Sequence, residues 1–207
     1  MSWSLWVTLV VTGVLISLTP GAGAINTMAN ALGSGWTRSI WGILGQELAL
    51  LLDIVVVAAG VGVIVSGSPV VFNVIRFAGA AYLVLLGIRQ WRARTEAVGR
   101  EGPAPHAATR RSMIRRGFLV NLTNPKAVVF FLAFMPQFIR ADRPLLPQYL
   151  VFAATILAID VVVMWGFFAT AARGLRRFTR TPQGQRTVNK LFGGLFVGMG
   201  ALLATVH

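Results

Sequence analysis

Cysteine is absent from this chain of 207 residues, histidine occurs only twice, and Asp and Glu together number six. The first absence excludes disulfides and thiolate metal sites. The second leaves His106 in a loop and His207 at the terminus, poor material for zinc, so no metal and no cofactor is expected. No nucleophile stands paired with a base and no phosphate-binding loop is present, which argues against an enzyme. Lys and Arg are also missing before Arg38. The apolar start therefore lacks the basic n-region of a signal peptide, despite Ala22-Gly23-Ala24, and reads as a helix that stays.

What the chain has in excess is apolar. Hydrophobic residues make up 56% and charged residues 12%, and several apolar runs reach about 20 residues, more than a soluble core requires. An integral, all-α membrane protein follows. The formal charge of +13 does not point to nucleic acid, because the arginines cluster in short segments between apolar runs, where they fix orientation in a bilayer.

Apolar runs read against charge and turn signals predict six transmembrane helices, at about residues 3–31, 39–65, 70–88, 113–138, 147–172 and 187–206. Gly33-Ser34-Gly35, Ser66-Gly67-Ser68-Pro69 and the segment from Arg140 to Pro144 supply turns, and Thr95 to Thr109 is the one plausible linker. The first, third and fifth loops carry 1, 8 and 5 arginines, against Arg140 and Arg143 on the other side, so both termini are expected outside. Arg76 and Lys190 fall near span ends and can snorkel, leaving Lys126 as the deep cation.

The halves correspond. Pro20 pairs with Pro125 at an offset of 105, Asp53 with Asp160 at 107, and Arg76-Phe77-Ala78-Gly79 with Lys190-Leu191-Phe192-Gly193 at 114. Three spans per copy is an odd number, so the second copy enters from the opposite side, giving two inverted three-helix repeats. The expectation is one transporter domain over 1–207: a repeat at about 1–90, a basic cytoplasmic loop at about 91–112, and a repeat at about 113–207.

Helices 1 and 4 of this scheme are broken at Pro20 and Pro125. Proline inside a helix costs about 3 kcal/mol, and paired breaks at membrane depth commonly mark a transporter's substrate site. Thr19 and Asn124 are good N-caps and proline suits the first helical position, so each break reads as a new half-helix start. The carbonyls of Ile16 and Asn121 lose their usual partners, and free amides at the positive dipole end could receive a carboxylate. Gly21 and Gly23 allow close approach, and Lys126 adds charge. The candidate binding residues are Thr19, Pro20, Gly21, Asn121, Asn124, Pro125 and Lys126. A proline kink satisfied by neighbouring groups is the structural alternative.

Glu47, Asp53 and Asp160 lie within spans, with the aspartates near the midplane. Burial disfavours a charged carboxyl, which makes all three candidate proton carriers. Pairing with Lys126, or plain hydrogen bonding between helices, is the alternative. Glu47 and Asp53, six residues apart, differ by roughly 120° in direction and cannot both face one pathway. Gln46 reads as a helix contact. Gly42, Gly45, Gly79 and the Gly194/Gly198 pair read as close packing within the chain, with a homodimer interface as the other use. Trp3, Trp6, Trp36, Trp41 and Trp91 read as interfacial anchors, and the arginines from Arg89 to Arg116 set topology and meet anionic lipid.

Three segments resemble a known family. Ser17-Leu18-Thr19-Pro20-Gly21, then Gly79-Ala80-Ala81-Tyr82-Leu83 with Gly87, and the run from Gly117 through Asn124-Pro125-Lys126-Ala127 to Pro136-Gln137-Phe138 resemble the LysE/RhtB family of bacterial amino-acid exporters. The match spans nearly the whole chain, and the Asn-Pro-Lys-Ala segment with its Phe-rich tail is its most specific part. The resemblance implies a bacterial inner-membrane exporter of amino acids or close derivatives, driven by proton antiport. It departs from the family at Ala22-Gly23, where a second proline and an Asn or Asp usually follow Pro-Gly, so selectivity does not carry over. Transport of another small solute or ion, and a nontransporting lipid-interacting protein, stay open as alternatives.

Overall fold

The computed structural model describes residues 2–65, 69–93, 108–140, 142–178 and 181–205. The turn at 66–68, residues 95–107 of the linker, and both histidines lie outside the described residues. Every element among them is helical: α1 (Trp3–Leu18), α2 (Ala22–Ser34), α3 (Trp36–Val65), α4 (Pro69–Trp91), α5 (Arg110–Leu122), α6 (Pro125–Phe138), α7 (Leu145–Val161), a π-helical segment (Val162–Ala169), α8 (Thr170–Phe178) and α9 (Pro182–Thr205).

Local chemistry sets the ends. The Ser2 hydroxyl accepts from the Leu5 amide at 3.4 Å and the Thr109 hydroxyl from the Ser112 amide at 3.2 Å, so both caps fill orphan amides at helix starts. Gly35, at φ 94°, separates α2 from α3 in a conformation that disfavours any side chain. Trp36–Gly60, Leu145–Gly174 and Pro182–Thr205 are each long and apolar enough to cross a membrane. The pairs α1/α2 and α5/α6 are each bent by 61°, and counting each pair as one span raises the total to five.

Glycine decides which helices touch most closely. In α3 a side chain on Gly45 would strike the Ile114 carbonyl of α5, and one on Gly117 of α5 would strike the Gly42 carbonyl. α4 meets α9 the same way, with Gly87 against the Gly193 carbonyl and Gly200 against the Ala80 carbonyl. Gly42, Gly45 and Gly79 thus pack inside the chain. Gly198 faces open space and Gly194 reaches only Trp91, so the expected Gly194/Gly198 contact is instead made by Gly193 and Gly200.

The Phe-rich stretch of α6 is the centre of the core. Phe130, Phe131, Phe134 and Phe138 are all buried, Phe130 stacks on Phe134 at 4.7 Å, and Phe152 of α7 closes on Phe131 and Phe138. Gln148, buried in α7, ties down the preceding turn by accepting from the Arg140 amide at 2.9 Å and donating to the Arg140 and Pro144 carbonyls at 3.0 Å each.

Two residues gain contacts that the sequence did not suggest. Arg76, two turns into α4, is buried with its guanidinium 4.7 Å from the centre of the Phe77 ring. Trp36 is more than an anchor. It stacks on Trp165 at 4.5 Å, and each indole N–H donates to the other residue's carbonyl at 3.3 Å.

Candidate functional site

The two breaks meet. A cavity of about 40 Å³ is walled by Ser17 of α1, Gly21 and Gly23 at the start of α2, Gln46 of α3, Asn121 of α5, Asn124 and Lys126 at the start of α6, and Asp160 of α7, with Phe130 and Phe131 as its apolar side. At about 10–15 Å³ per water this is room for about three waters.

The second break folds as its residues predict. Asn124 is the N-cap, Pro125 takes the first helical position, and the Asn124 side chain accepts from the Lys126 amide at 3.2 Å. The Asn121 carbonyl is not left without a partner, because the chain turns tightly enough for the Asn124 amide to reach it at 2.9 Å.

The first break is built differently, and the expected cap is wrong. Thr19 closes α1 instead of opening α2, its hydroxyl donates back to the Leu15 carbonyl at 2.8 Å, and Pro20 lies between the helices. The N-cap is Gly21, which has no side chain to offer. The cause lies in the backbone. Thr19 is held by its backbone N–H, which donates to the Ile16 carbonyl at 3.2 Å, and by its own hydroxyl, and both hydrogen bonds continue α1.

Lys126 joins the breaks. Its ammonium donates to the Ile16 carbonyl at 3.1 Å and to the Thr19 carbonyl at 2.7 Å, so the buried carbonyl end of α1 is satisfied by a cation from α6. The Ile16 carbonyl therefore has partners, contrary to expectation, and the lysine charge sits at the negative end of the α1 dipole. One ammonium donor is left for the cavity.

The carboxyl groups separate. Asp160 is buried in the cavity wall and accepts from the Ser17 hydroxyl at 2.8 Å. Glu47 lies against it from α3, and neither Glu47 oxygen meets a donor among the described residues. Asp53 is buried apart from the cavity, one Oδ without a partner among the described residues. Of the sequence candidates, the fold brings together Gly21, Asn121, Asn124, Lys126 and Asp160, with Glu47 behind. Thr19 contributes only its carbonyl, Pro20 stands outside the wall, and the Pro125 side chain lies outside the described residues.

Gln46 and Ser17 were not expected. Gln46 donates to the Thr27 hydroxyl at 3.0 Å, and its backbone carbonyl accepts from the Asn121 side-chain Nδ2 at 3.2 Å. The available signal was register: Gly42, Gly45 and Gln46 share one face of α3, so the glycines that admit α5 also aim Gln46 at the break. For Ser17 the signal was a hydroxyl in an apolar run, three residues before Pro20.

Comparisons with known proteins agree on one family. The family model described as LysE type translocator matches residues 14–206. An uncharacterized membrane protein of Vibrio cholerae is 41% identical over 205 residues, covering 99% of this chain and 98% of that one. A homoserine/homoserine lactone efflux protein of Salmonella typhimurium is 40% identical over 207 residues, covering 100% of this chain and 99% of its own. A leucine efflux protein of Salmonella choleraesuis is 30% identical over 204 residues, covering 97% and 94%. No solved structure matches the chain.

Proposed function

The chain belongs to the LysE type translocator family, and from that premise we propose that it exports amino acids or close derivatives with uncharged side chains, homoserine first among them, across the bacterial inner membrane by proton antiport. The observation that carries this reading is the 40% identity, over the full length of both chains, to a homoserine/homoserine lactone efflux protein.

The cavity supplies the recognition. The substrate carboxylate docks on the uncapped amides of α2 and the spare donor of Lys126, where the helix dipole and a formal charge act together. The ammonium goes to Asp160. The side chain meets Gln46 and Asn121, neutral amides that suit a hydroxyl or a lactone better than a charge. At about 40 Å³ the cavity is smaller than this cargo, so in this reading loading requires the walls to part, and export is the alternation of which side they part toward.

Asp160 and Glu47 are the proton-coupling pair in this reading. A proton held by this carboxyl pair competes with the arriving ammonium for Asp160, so proton entry on one side favours release there. Asp53 has no part in that exchange.

The wider architecture in this proposal has six spans. α4, 23 residues and about 34 Å at 1.5 Å per residue, joins the five counted above. The equal bends of the two broken pairs support inverted repeats, and the arginine-rich loops support termini outside. The test is uptake of labelled homoserine and leucine by inverted membrane vesicles with an imposed proton gradient. Accumulation that collapses with a protonophore is expected. No accumulation of any amino acid, in vesicles that demonstrably hold the gradient, overturns the proposal.

A further inference from the structure

A file of buried amides runs from the cavity toward the Arg38 end of the molecule, between α2 and α3. Gly23, Asn26, Thr27 and Asn30 recur at the spacing of one helical face. Asn26, Thr27 and Asn30 are buried, and so are Ser39 and Gln46 of α3. Only part of the file is hydrogen-bonded. Gln46 donates to Thr27, but both amide atoms of Asn26 and the Asn30 nitrogen meet no partner among the described residues.

Gly42 is what makes room for them. A side chain there would run into the Asn30 amide and come within 3.5 Å of the Asn26 nitrogen. At the inner end the file opens on the cavity, whose wall includes both Gly23 and Gln46, and a Cβ on Gly23 would stand 2.8 Å from the Gln46 side-chain oxygen. Unpaired carboxamides at membrane depth are expensive in a purely structural seam, where apolar residues would pack as well. Their natural partners are the polar groups of something that passes.

We propose that the α2–α3 seam is the cytoplasmic passage to the cavity, and that Asn26 and Asn30 are successive contact points for the substrate on its way in. This rests on the export reading and extends it to a route. It also bears on selectivity: Asn26, Thr27, Asn30, Ser39 and Gln46 are all uncharged, so the seam stabilises a zwitterion through its dipoles and offers no partner to an extra charge on the side chain.

The absence of cysteine makes the test clean. Asn26→Cys and Asn30→Cys are placed singly in the full chain, in inverted vesicles, and treated with a membrane-impermeant, sulfonate-bearing methanethiosulfonate. Arg38→Cys, in the exposed first turn of α3, gives the fully reactive reference, and Leu44→Cys, on the exposed outer face of α3, gives the lipid-facing one. Both asparagine positions are expected to react, Asn30→Cys faster than Asn26→Cys and both well above Leu44→Cys. Homoserine at saturating concentration should slow the reaction at both positions. Labelling no faster than at Leu44→Cys, or labelling indifferent to a substrate that the same vesicles transport, overturns the passage. Should the unmodified chain export none of the amino acids tested, the export reading fails separately, and labelling without substrate still decides whether the seam opens to that side. Gly42→Ala gives an independent check, because its methyl displaces the amides without touching the cavity wall: export should slow while homoserine affinity holds. Undiminished export by a folded Gly42→Ala chain counts against the passage.

Discussion

The break between α1 and α2 and the break between α5 and α6 bend the chain by the same 61°, yet they are held by opposite chemistry. The second is self-sufficient: Asn124 caps α6, and its amide closes the Asn121 carbonyl. The first is not. The end of α1 borrows its donors from Lys126 of the other half, and the start of α2 has no cap at all. Two breaks with the same bend are therefore held differently, one furnishing a structural cation and the other uncapped amides. The first break is complete only when α6 is docked against it, because Lys126 supplies the donors for the Ile16 and Thr19 carbonyls.

The sharpest way to break this comparison is to remove the borrowed donor. Lys126→Met leaves the Thr19 carbonyl unpaired and takes a charge-assisted pair of bonds from the Ile16 and Thr19 carbonyls, a loss of about 2–3 kcal/mol. Export should disappear and the unfolding midpoint in detergent should fall. Lys126→Arg should not restore export, because a planar guanidinium cannot reproduce the two bonds of a point-like ammonium. Lost substrate binding with unchanged stability would show that the first break holds itself together and that the lysine serves cargo alone.

Next in size is the contrast between the aspartates. Asp160→Asn keeps an oxygen that can accept from Ser17 but cannot carry a proton or a charge, so proton-driven accumulation should be lost while a slower substrate exchange survives. Asp53→Asn, outside the cavity, should keep both within about twofold. Equal loss of coupling in the two variants would restore the symmetrical pair that the offsets of the sequence imply.

A smaller effect is expected at the second cap. Asn124→Ala removes the side chain that accepts from the Lys126 amide and should cost about 1 kcal/mol of stability. Because Asn124 also lines the cavity, KM for homoserine should rise modestly. A rise in KM without any change in stability would mean that Asn124 acts as a ligand more than as a cap.

The legible part of this molecule was the part written in local rules. Asn124-Pro125 announced an N-cap and first-turn proline, and the helix starts there; the apolar runs announced helices whose ends differ from expectation by a few residues. The family followed from its motif, and the comparisons bear that out over residues 14–206. What failed was equivalence. Thr19-Pro20 looks like Asn124-Pro125, but a threonine can donate its hydroxyl backwards to Leu15 and so extend the preceding helix, where asparagine turned forward. Which of three carboxylates meets the cavity depended on helix rotation, and the eight-residue π segment after Asp160 has no signature in the sequence that would have revealed it. Gln46 was passed over because a lone intramembrane amide is usually a packing contact. Its role became visible only when Gly42 and Gly45 brought α5 against the same face.

The least disruptive variant tests the open half directly. Gly21 has extended backbone at φ −132°, ψ −163°, which any residue adopts, and a Cβ there would meet Asn124 and Lys126 at an ordinary 3.6 Å. Gly21→Ser and Gly21→Ala should therefore both fold. They differ in one atom. The serine hydroxyl can accept from the amides of Gly23 or Ala24, which caps α2 and should add a few tenths of a kcal/mol, about the known difference between these caps. In doing so it takes the place proposed for the substrate carboxylate, so KM for homoserine should rise with little change in kcat, the mark of binding lost equally from ground and transition states. Alanine brings the bulk without the acceptor and should leave KM near its original value. An equal rise in both would mean that crowding matters and the amides do not; no rise in either would move the carboxylate away from α2 and leave Lys126 as its sole anchor.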